Sequence, residues 1–472
     1  MDYILQIPEH HKKVFKIICD VGEVLQQPVF VVGGYVRDYY LDCLKVNPDI
    51  DFVTLGSGIK VAKKVHQAMP NSHLSVFKQF GTAQVKIGDL ELEFVGARKE
   101  SYRRNSRKPI VENGTLKDDQ ERRDLTINAM SWSLNKKDFG LLNDPFGGLA
   151  DLKNKIIRTP IAPDKTFDDD PLRMMRAIRL ASQLGFTIAD ETLTSIQKMA
   201  KRIEIVSKER ILDELNKIVL SKKPSIGFAL LFKTGLLNQF FPEMHNLHGV
   251  REKNGHRHKD NFWHTLEVLD NVAKVSNNLW LRWAAILHDI AKPPTQRFEE
   301  GIGWTFHGHD ALGAKWTYRI FKRLGLPLDE RMKYVQKLVR LHLRPIALVS
   351  DIVSDSAIRR LIFDAGNDID DLMALCRADI TSKNEFKVKK YQNNFTKVEN
   401  KIVEVDKKDK IRNWKNPLTG EEIMQALNIS PSIIVGNIKN AVKEAILNGE
   451  IPNNPEAAFQ YMMEHREEFV NE

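Results

Sequence analysis

The stretch VVGGYVRDYYLDCLKVNPDIDFV, residues 31–53, decides the fold. An apolar run ending in Gly33-Gly34 reads as a strand that turns sharply into a helix. Glycines at such a turn let backbone N–H groups and the helix N-terminus approach a phosphate without side-chain clash. Asp49 and Asp51 then fall on one face of a second strand, because side chains alternate with period two. Two same-face carboxylates repel unless a cation joins them. Mg²⁺ takes oxygen ligands and commonly bridges protein carboxylates to substrate phosphates, so it is the natural cation. Glu93, in the strand-like run LELEFVGAR, offers a third carboxylate and completes a two-metal clamp for in-line attack on an α-phosphate. Taken singly these signals are ordinary, since Gly-Gly is usually a turn and DxD often a solvated strand end. Their order and spacing are not.

At 472 residues the chain exceeds what one core organises, so several domains in series are expected. Its composition, 42% apolar and 28% charged, is that of an ordinary folded protein. No run of about 18 apolar residues is available to cross a bilayer. The segment MDYILQIPEHHKKVFKII lacks the basic-then-apolar order of a secretory signal, and a cytoplasmic location is expected. Cys19, Cys43 and Cys376 lie far apart with no CxxC pair, which predicts buried, reduced thiols and neither disulfides nor a thiolate zinc site. Lysine and arginine exceed aspartate and glutamate by 71 to 62, a formal charge of +9 that tilts toward polyanionic partners without establishing one.

Residues 1–145 alternate strand-like runs (PVFVVGG, DIDFVTLG, TAQVKIG, LELEFVGAR) with helical stretches and read as an α/β unit. From about 146 onward the pattern is helical almost throughout, with apolar positions at i, i+3 and i+4 in FDDDPLRMMRAIRLASQLGFTI and SKERILDELNKIVLS. A second helical block, 245–390, is rich in histidine and tryptophan. A charged connector, KVENKIVEVDKKDKIRNWKNP, leads to a helical tail.

Gly-Gly, VRD and DxD in that order resemble the active-site strand of the DNA polymerase β nucleotidyltransferase superfamily. ERRDLTINAM (121–130) resembles the second motif of class II tRNA nucleotidyltransferases and bacterial poly(A) polymerases. NDPFGGLADLKNKIIR (143–158) resembles the third, DDPLRMMR the fourth and KERILDELNKIV (208–219) the fifth. The resemblance covers about the first 240 residues. It implies an α+β fold: a polymerase-β-like head with a mixed sheet and helices (1–145), then an all-α neck for base recognition and RNA binding (146–240). An HD-type helical body (241–390) and a helical, tRNA-contacting tail (391–472) are expected to follow.

By the same match Asp49, Asp51 and Glu93 are the catalytic acids. Gly33, Gly34, Arg37, Arg123, Asp124, Asp170, Arg173 and Arg176 bind nucleotide. Gly147 and Gly148 absorb rotation at a hinge, and Arg210 and Glu214 brace the neck. Asp170 and Arg173, three apart on a predicted helix, share a face. A carboxylate accepts from the exocyclic amino group of A or C while arginine donates to the adjacent ring nitrogen, and G and U present the opposite pattern. An i, i+3 surface salt bridge would give the same spacing. The polar, basic stretch ESYRRNSRKPIVENGTLKDDQ (100–120) is expected to be a mobile loop at the active site.

His264, the pair His288-Asp289, His309, His342 and Asp379 offer imidazole and carboxylate ligands on helices, suited to a divalent metal. Their order resembles the HD phosphohydrolase domain. This implies His264, His288, Asp289 and Asp379 as ligands of one ion, a transition metal among the candidates, with His309 and His342 able to add a second site. In the tail, Lys439 and Lys443 could meet RNA phosphate or simply line a solvated face. NISPSIIVGNIKNAV resembles the C-terminal segment of HD-containing CCA-adding enzymes, with Ser432 where a glycine often follows the proline. The expectation is a Mg²⁺-dependent enzyme adding C, C and A to tRNA from CTP and ATP, with no membrane partner. A poly(A) polymerase, an enzyme adding only the terminal A, and an HD metal-dependent phosphohydrolase with an RNA-binding head are the alternatives.

Overall fold

The computed structural model describes residues 6–101, 110–348, 354–381, 384–412 and 414–471. Packing divides the chain into two units, Met1–Phe240 and Phe241–Glu472. In the first, α1 (Glu9–Leu25), β1 (Val29–Val32), α2 (Gly34–Tyr40), β2 (Asp49–Thr54), α3 (Gly58–Ala68), β3 (His73–Phe77), β4 (Thr82–Ile87) and β5 (Leu90–Gly96) follow in order. Next come β6 (Arg98–Ser101), β7 (Ile110–Asn113), α4 (Leu116–Glu121), α5 (Thr126–Ala129), β8 (Ser131–Ser133), β9 (Leu142–Asn143) and α6 (Gly148–Asn154).

Seven of these strands make one mixed sheet in the order β3-β4-β5-β2-β1-β8-β9. β2 and β5 run parallel, and the other neighbouring pairs are antiparallel. β2 alternates as the sequence predicts: Ile50 and Phe52 are buried, whereas Asp49 and Asp51 are exposed. On the apolar face Phe52 stacks on Phe94, centroids 4.8 Å apart, and meets Phe15 of α1 edge-on at 5.9 Å. Helix α1 buries Val14, Phe15, Ile18 and Val21 at helical spacing, and α3 buries Val61, Ala62 and Val65. Each such side chain stabilises the core by about 1.5–3 kcal/mol. Helices α1 and α3 thus take one face of the sheet; the acids lie on the other, beside a second apolar cluster of Phe30, Val32 and Val53 with Ala97 and Leu116.

The rest of this unit is helical: α7 (Pro163–Asp169), α8 (Leu172–Leu184), α9 (Asp190–Met199) and α10 (Lys208–Val219). Helix α8 buries Leu172, Met174, Met175, Ala177, Ile178 and Ala181, and α10 buries Ile211, Leu215 and Ile218. In the second unit, helices Asn261–Val275, Leu279–Leu287, His309–Leu324, Glu330–Leu341 and Ile369–Asp379 enclose a core that includes Trp283 and Phe321. Among the described residues no helix is long and apolar enough to cross a membrane.

Five expectations need correction. Two hairpins, Glu252–Lys253 with His256–Arg257 and Arg297–Glu299 with Gly303–Thr305, interrupt the block expected to be helical. Their turns carry Asn254, Gly255 and Gly301 at positive φ, which a helix interior does not accommodate. Most of the charged connector is not a linker but belongs to the helix Glu385–Asp409, which spans the expected body–tail boundary. Phe395, Val398, Ile402 and Val405 are buried along it. Cys43 is exposed, in the turn after α2, whereas Cys19 and Cys376 are buried. The stretch 100–120 is not all loop: β6 and β7 pair as a ribbon and α4 follows, while residues 102–109 lie outside the described residues. Apart from these, Ser432, where relatives often have glycine, is extended at φ −155°, so this turn needs no glycine.

The fifth concerns the glycine pair at the expected hinge. Gly147 has φ +72° with open space around it, but a Cβ on Gly148 would lie 2.4 Å from the Thr126 carbonyl oxygen and 2.8 Å from Met130. Gly148 therefore lets α6 approach α5, a packing requirement that restrains motion. Gly148→Ala should destabilise the first unfolding transition in urea by about 3 kcal/mol through overpacking. Gly147→Ala should cost about 1 kcal/mol through left-handed strain. Equal losses would assign both glycines to the turn alone.

Candidate functional site

Parallel pairing sets Asp51 opposite Glu93 and Asp49 opposite Glu91 on the face of the sheet away from α1 and α3. Gly33, at φ +78°, lies beside them: a Cβ there would be 3.4 Å from Asp51 Oδ2 and 3.2 Å from Arg123 Nη1. The turn therefore brings glycine backbone, a strand acid and an arginine into one pocket. The Gly33 N–H itself faces the Met130 carbonyl at 3.4 Å, so the cradle expected from this turn is built from the remaining groups. Solvent reaches Asp51, yet protein packed around its carboxylate raises its pKa; Arg123 opposes the rise and Asp49 adds to it. Desolvation and then Asp51 likewise raise Glu93. An all-oxygen set of acids held above their ordinary range suits a hard divalent cation. The three acids meet through strand register and do not close to within 4.8 Å as a ligand cage.

Around them runs a chain of buried partners. Asp119, fully buried, accepts from Arg122 (2.6 Å) and from Arg123 (3.1 Å), and the two guanidiniums hold its carboxyl below the ordinary range despite burial. Arg37 donates to Asn128 Oδ1 at 2.8 Å, and Asn128 donates to Asp124 Oδ1 at 3.0 Å. Asp124 Oδ2 accepts from Arg176 at 2.7 Å. Burial would raise the Asp124 carboxyl; Arg176, the Asn128 hydrogen bond and Arg173 together outweigh it and hold it far below its usual value. Glu214 accepts from Arg179 at 2.5 Å and lies 3.9 Å from Arg176, bracing α8 against α10.

The expected base-reading pair does not share a helix. Asp170 precedes α8 with extended backbone (φ −143°, ψ 103°), because the residue before a proline, here Pro171, is driven out of helical conformation. Its Oδ1 accepts from the Leu172 N–H at 3.1 Å and its Oδ2 lies 3.2 Å from Arg210. Arg173 is 8% exposed and donates to the Thr166 carbonyl at 3.3 Å. Arg210 thus reaches Asp170 as well as lying on the neck helix.

In the second unit two groups of ligand atoms gather within 4.8 Å: His264, His288 and Asp379, and Asp289, His309 and His342. Asp289, expected with the first group, stands between the two. Its two oxygens face both ways. Asp289 Oδ2 lies 3.3 Å from His288 Nε2 and 3.5 Å from His264 Nε2, and Oδ1 lies 3.3 Å from His309 Nε2 and 3.9 Å from His342 Nε2. Asp379 Oδ1 is 2.9 Å from His264 Nε2.

Each imidazole is turned inward by its other nitrogen. Nδ1 of His288, His309 and His342 donates at 2.7 Å to the carbonyls of Ala285, Phe306 and Val339, each three residues back. His264 Nδ1 lies 2.8 Å from Thr381 Oγ1. A carbonyl only accepts, so Nδ1 carries the proton and Nε2 offers a lone pair to the centre, the arrangement metal-binding histidines use. His288 Nε2 and Asp289 Oδ2 are buried without a hydrogen-bond partner, which a cation between them would satisfy. Burial pushes His288 down, but without a cation Asp289 and Asp379 outweigh it and raise it to about 10, so a metal would displace a proton from its Nε2; His342 is lowered to about 4 by burial and then by His288.

Several contributors escape the motif reading. Lys292, one helical turn after Asp289, places Nζ 2.6 Å from Asp289 Oδ2. Thr381, two residues beyond Asp379, orients His264, and Asn128 links Arg37 to Asp124. The available signals were the i+3 spacing of Lys292 and, for Asp119, two arginines at i+3 and i+4.

The chain matches the poly A polymerase head domain over residues 29–158, the probable RNA and SrmB-binding site of polymerase A over 185–247, and the HD domain over 261–382. The A-adding tRNA nucleotidyltransferase of Deinococcus radiodurans is 29% identical over 440 residues, 90% of this chain and 93% of that one. The multifunctional CCA protein of Shewanella frigidimarina is 32% identical over 310 residues, 64% of this chain and 71% of that one. The Bacillus stearothermophilus CCA-adding enzyme, solved in complex with CTP, has a similar fold: TM-score 0.69, 20% identity, 98% of this chain and all of that one covered. With its acid-bearing sheet, arginine-rich neck and HD block, the chain belongs to the tRNA nucleotidyltransferase and poly(A) polymerase family, as a nucleotidyltransferase carrying an HD domain.

Proposed function

We propose that the chain adds C, C and A to tRNA 3′ ends from CTP and ATP, without a template, releasing pyrophosphate. The observation that carries this reading is the convergence of the Gly33 turn, Asp51, Glu93 and Arg123 on one open sheet face. The name of the S. frigidimarina relative supports the C, C, A sequence of additions.

Asp49 and Asp51, with Glu93, would hold Mg²⁺. When bound there, the cation lowers the pKa of the attacking 3′-hydroxyl and offsets charge at the α-phosphate. Arg123, fixed by Asp119, presents its guanidinium to the triphosphate beside Gly33. Asp124 and Arg176, locked to each other, set the place of the sugar and phosphates at the top of the neck. Asp170 and Arg173 read the base once it displaces Arg210 and the Thr166 carbonyl as their partners. The HD residues would hold one or two divalent transition ions, with Asp289 shared between them. The four-part division into head, neck, body and tail (1–145, 146–240, 241–390, 391–472) belongs to the same proposal.

A narrower reading, addition of the terminal A alone, is favoured by the D. radiodurans relative, whose name is A-adding. tRNA ending before CCA, incubated with each labelled nucleotide separately and then together, separates the readings. C incorporation followed by one A supports the proposal. Activity confined to tRNA already ending in CC supports the narrower enzyme, and long A tails from ATP alone a poly(A) polymerase.

Asp49→Ala should abolish incorporation while leaving the melting temperature close to the parent's, and undiminished incorporation would remove the metal role from this strand. Asp170→Ala should raise misincorporation of G and U relative to C and A, read by primer extension with single nucleotides; unchanged selectivity would place base reading elsewhere. Asp289→Ala should strip bound Mn²⁺ from the dialysed protein, measured by elemental analysis, while nucleotide addition persists. Full metal retention would overturn the ligand assignment.

A further inference from the structure

Resting on the reading of the head as a nucleotide-transferring site, we propose that the open face of β5, β4 and β3 is the platform for the RNA 3′ end, with Phe77 and Phe80 stacking its unpaired bases. The placement follows from the order of strands. Asp51 has Gly33 and Arg123 on its β1 side and Glu93 on its β5 side. In an in-line displacement the attacking hydroxyl and the leaving pyrophosphate lie on opposite sides of the α-phosphate. The glycine turn and Arg123 take the pyrophosphate side, so the attacking RNA end arrives over Glu93, from β4 and β3.

That face is continuous with the acids. Register aligns Asp51, Glu93, Gln84 and Ser75 in one row across β2, β5, β4 and β3, and Asp49, Glu91, Lys86 and His73 in the next. Gln84 and Lys86 both engage Glu91, each at 2.9 Å, and mask its charge along the path. The third row, Val53, Val95, Thr82 and Phe77, is covered at its inner end, where Val53 and Thr82 are buried, and opens at Phe77. Phe77 is 47% exposed, and Phe80, on the single turn Lys78–Phe80 that follows, is 66% exposed. Exposed aromatic rings at the rim of a polar face, with Lys78 between them, match the way single-stranded RNA is held: bases stack on rings and a cation meets the backbone. Two strand spacings separate β5 from β3, about 10 Å, room for roughly three stacked nucleotides. β3 is also a sheet edge that could pair with a second copy of this chain. The two polar rows beside Phe77, from Asp51 to Ser75 and from Asp49 to His73, favour RNA.

The double variant Phe77→Ala/Phe80→Ala is compared with Phe77→Tyr/Phe80→Tyr, using the full chain and tRNA lacking CCA. The alanine variant should raise KM for tRNA about tenfold while KM for CTP and ATP stays within about twofold, and the tyrosine variant, which keeps the rings, should restore it. tRNA carrying a 3′-terminal 4-thiouridine should photo-cross-link within residues 73–87 of the parent protein. An unmoved KM for tRNA with cross-links elsewhere, in a protein that does add nucleotides, overturns the platform. So does a variant that only turns a dimer into a monomer during sedimentation. Failure of the parent protein to add any nucleotide strikes the transfer reading instead.

Discussion

The parallel pairing of β2 with β5 is the constraint on which the catalytic half depends. It aligns Phe52 with Phe94 on one face and Asp51 with Glu93 on the other, so one register serves both core and chemistry. A slip of one residue would bring phenylalanines to solvent and press carboxylates against α1 and α3. The apolar side enforces the register: the Phe52–Phe94 stack and the Phe15 edge contact can form only when the acids face outward. Three acids are therefore held on one surface, where protein packed around them raises the pKa values of Asp51 and Glu93.

Charge burial is handled differently in the two units. In the head, Asp119 and Asp124 are buried with arginines already in place, so each guanidinium is pre-oriented and its charge partly compensated. Removing one partner of such a buried pair typically costs about 3–5 kcal/mol, which ties nucleotide-facing arginines to the stability of the fold. In the HD block the compensation is incomplete. Lys292 lies against Asp289, but His288 Nε2 and Asp289 Oδ2 still lack hydrogen bonds. Three histidines use the same device, Nδ1 to the carbonyl three residues back, to aim the other nitrogen into the gap. A structural histidine gains nothing from that convergence, whereas a metal ligand requires it.

The head was legible because its signals are local and reinforce one another: alternation in DIDFVT, helical spacing in α1, and a glycine pair at a strand end. The features that were misread are those where one local signal competes with another. Charged residues in 397–409 suggested a connector, but Val398, Ile402 and Val405 keep helical spacing and are buried. The hairpins around Gly255 and Gly301 are too short for strand periodicity to register, leaving their turn residues as the sole clue. The HD candidates, including a second group with His309 and His342, were readable by type and order, but the position of Asp289 between the groups was not. It depends on which oxygen of Asp289 faces which imidazole, and side-chain orientation at the ends of packed helices leaves no trace in spacing.

Asp170 shows how a single local rule alters a functional argument. Spacing alone put it one helical turn from Arg173, but Pro171 forces it out of the helix and leaves it as a polar hinge before α8. Its carboxylate is then aimed by the Leu172 N–H and by Arg210, while Arg173 is aimed by the Thr166 carbonyl. On the proposed reading, base recognition would be assembled from α7, the start of α8 and α10, and each member of the pair would start from an internal partner it must exchange. A base with the complementary edge compensates both exchanges; a base with the opposite edge leaves a carboxylate and a guanidinium desolvated against like groups. Selectivity then arises from the penalty on the wrong base as much as from attraction to the right one, as expected wherever buried polar groups face substrates that cannot satisfy them.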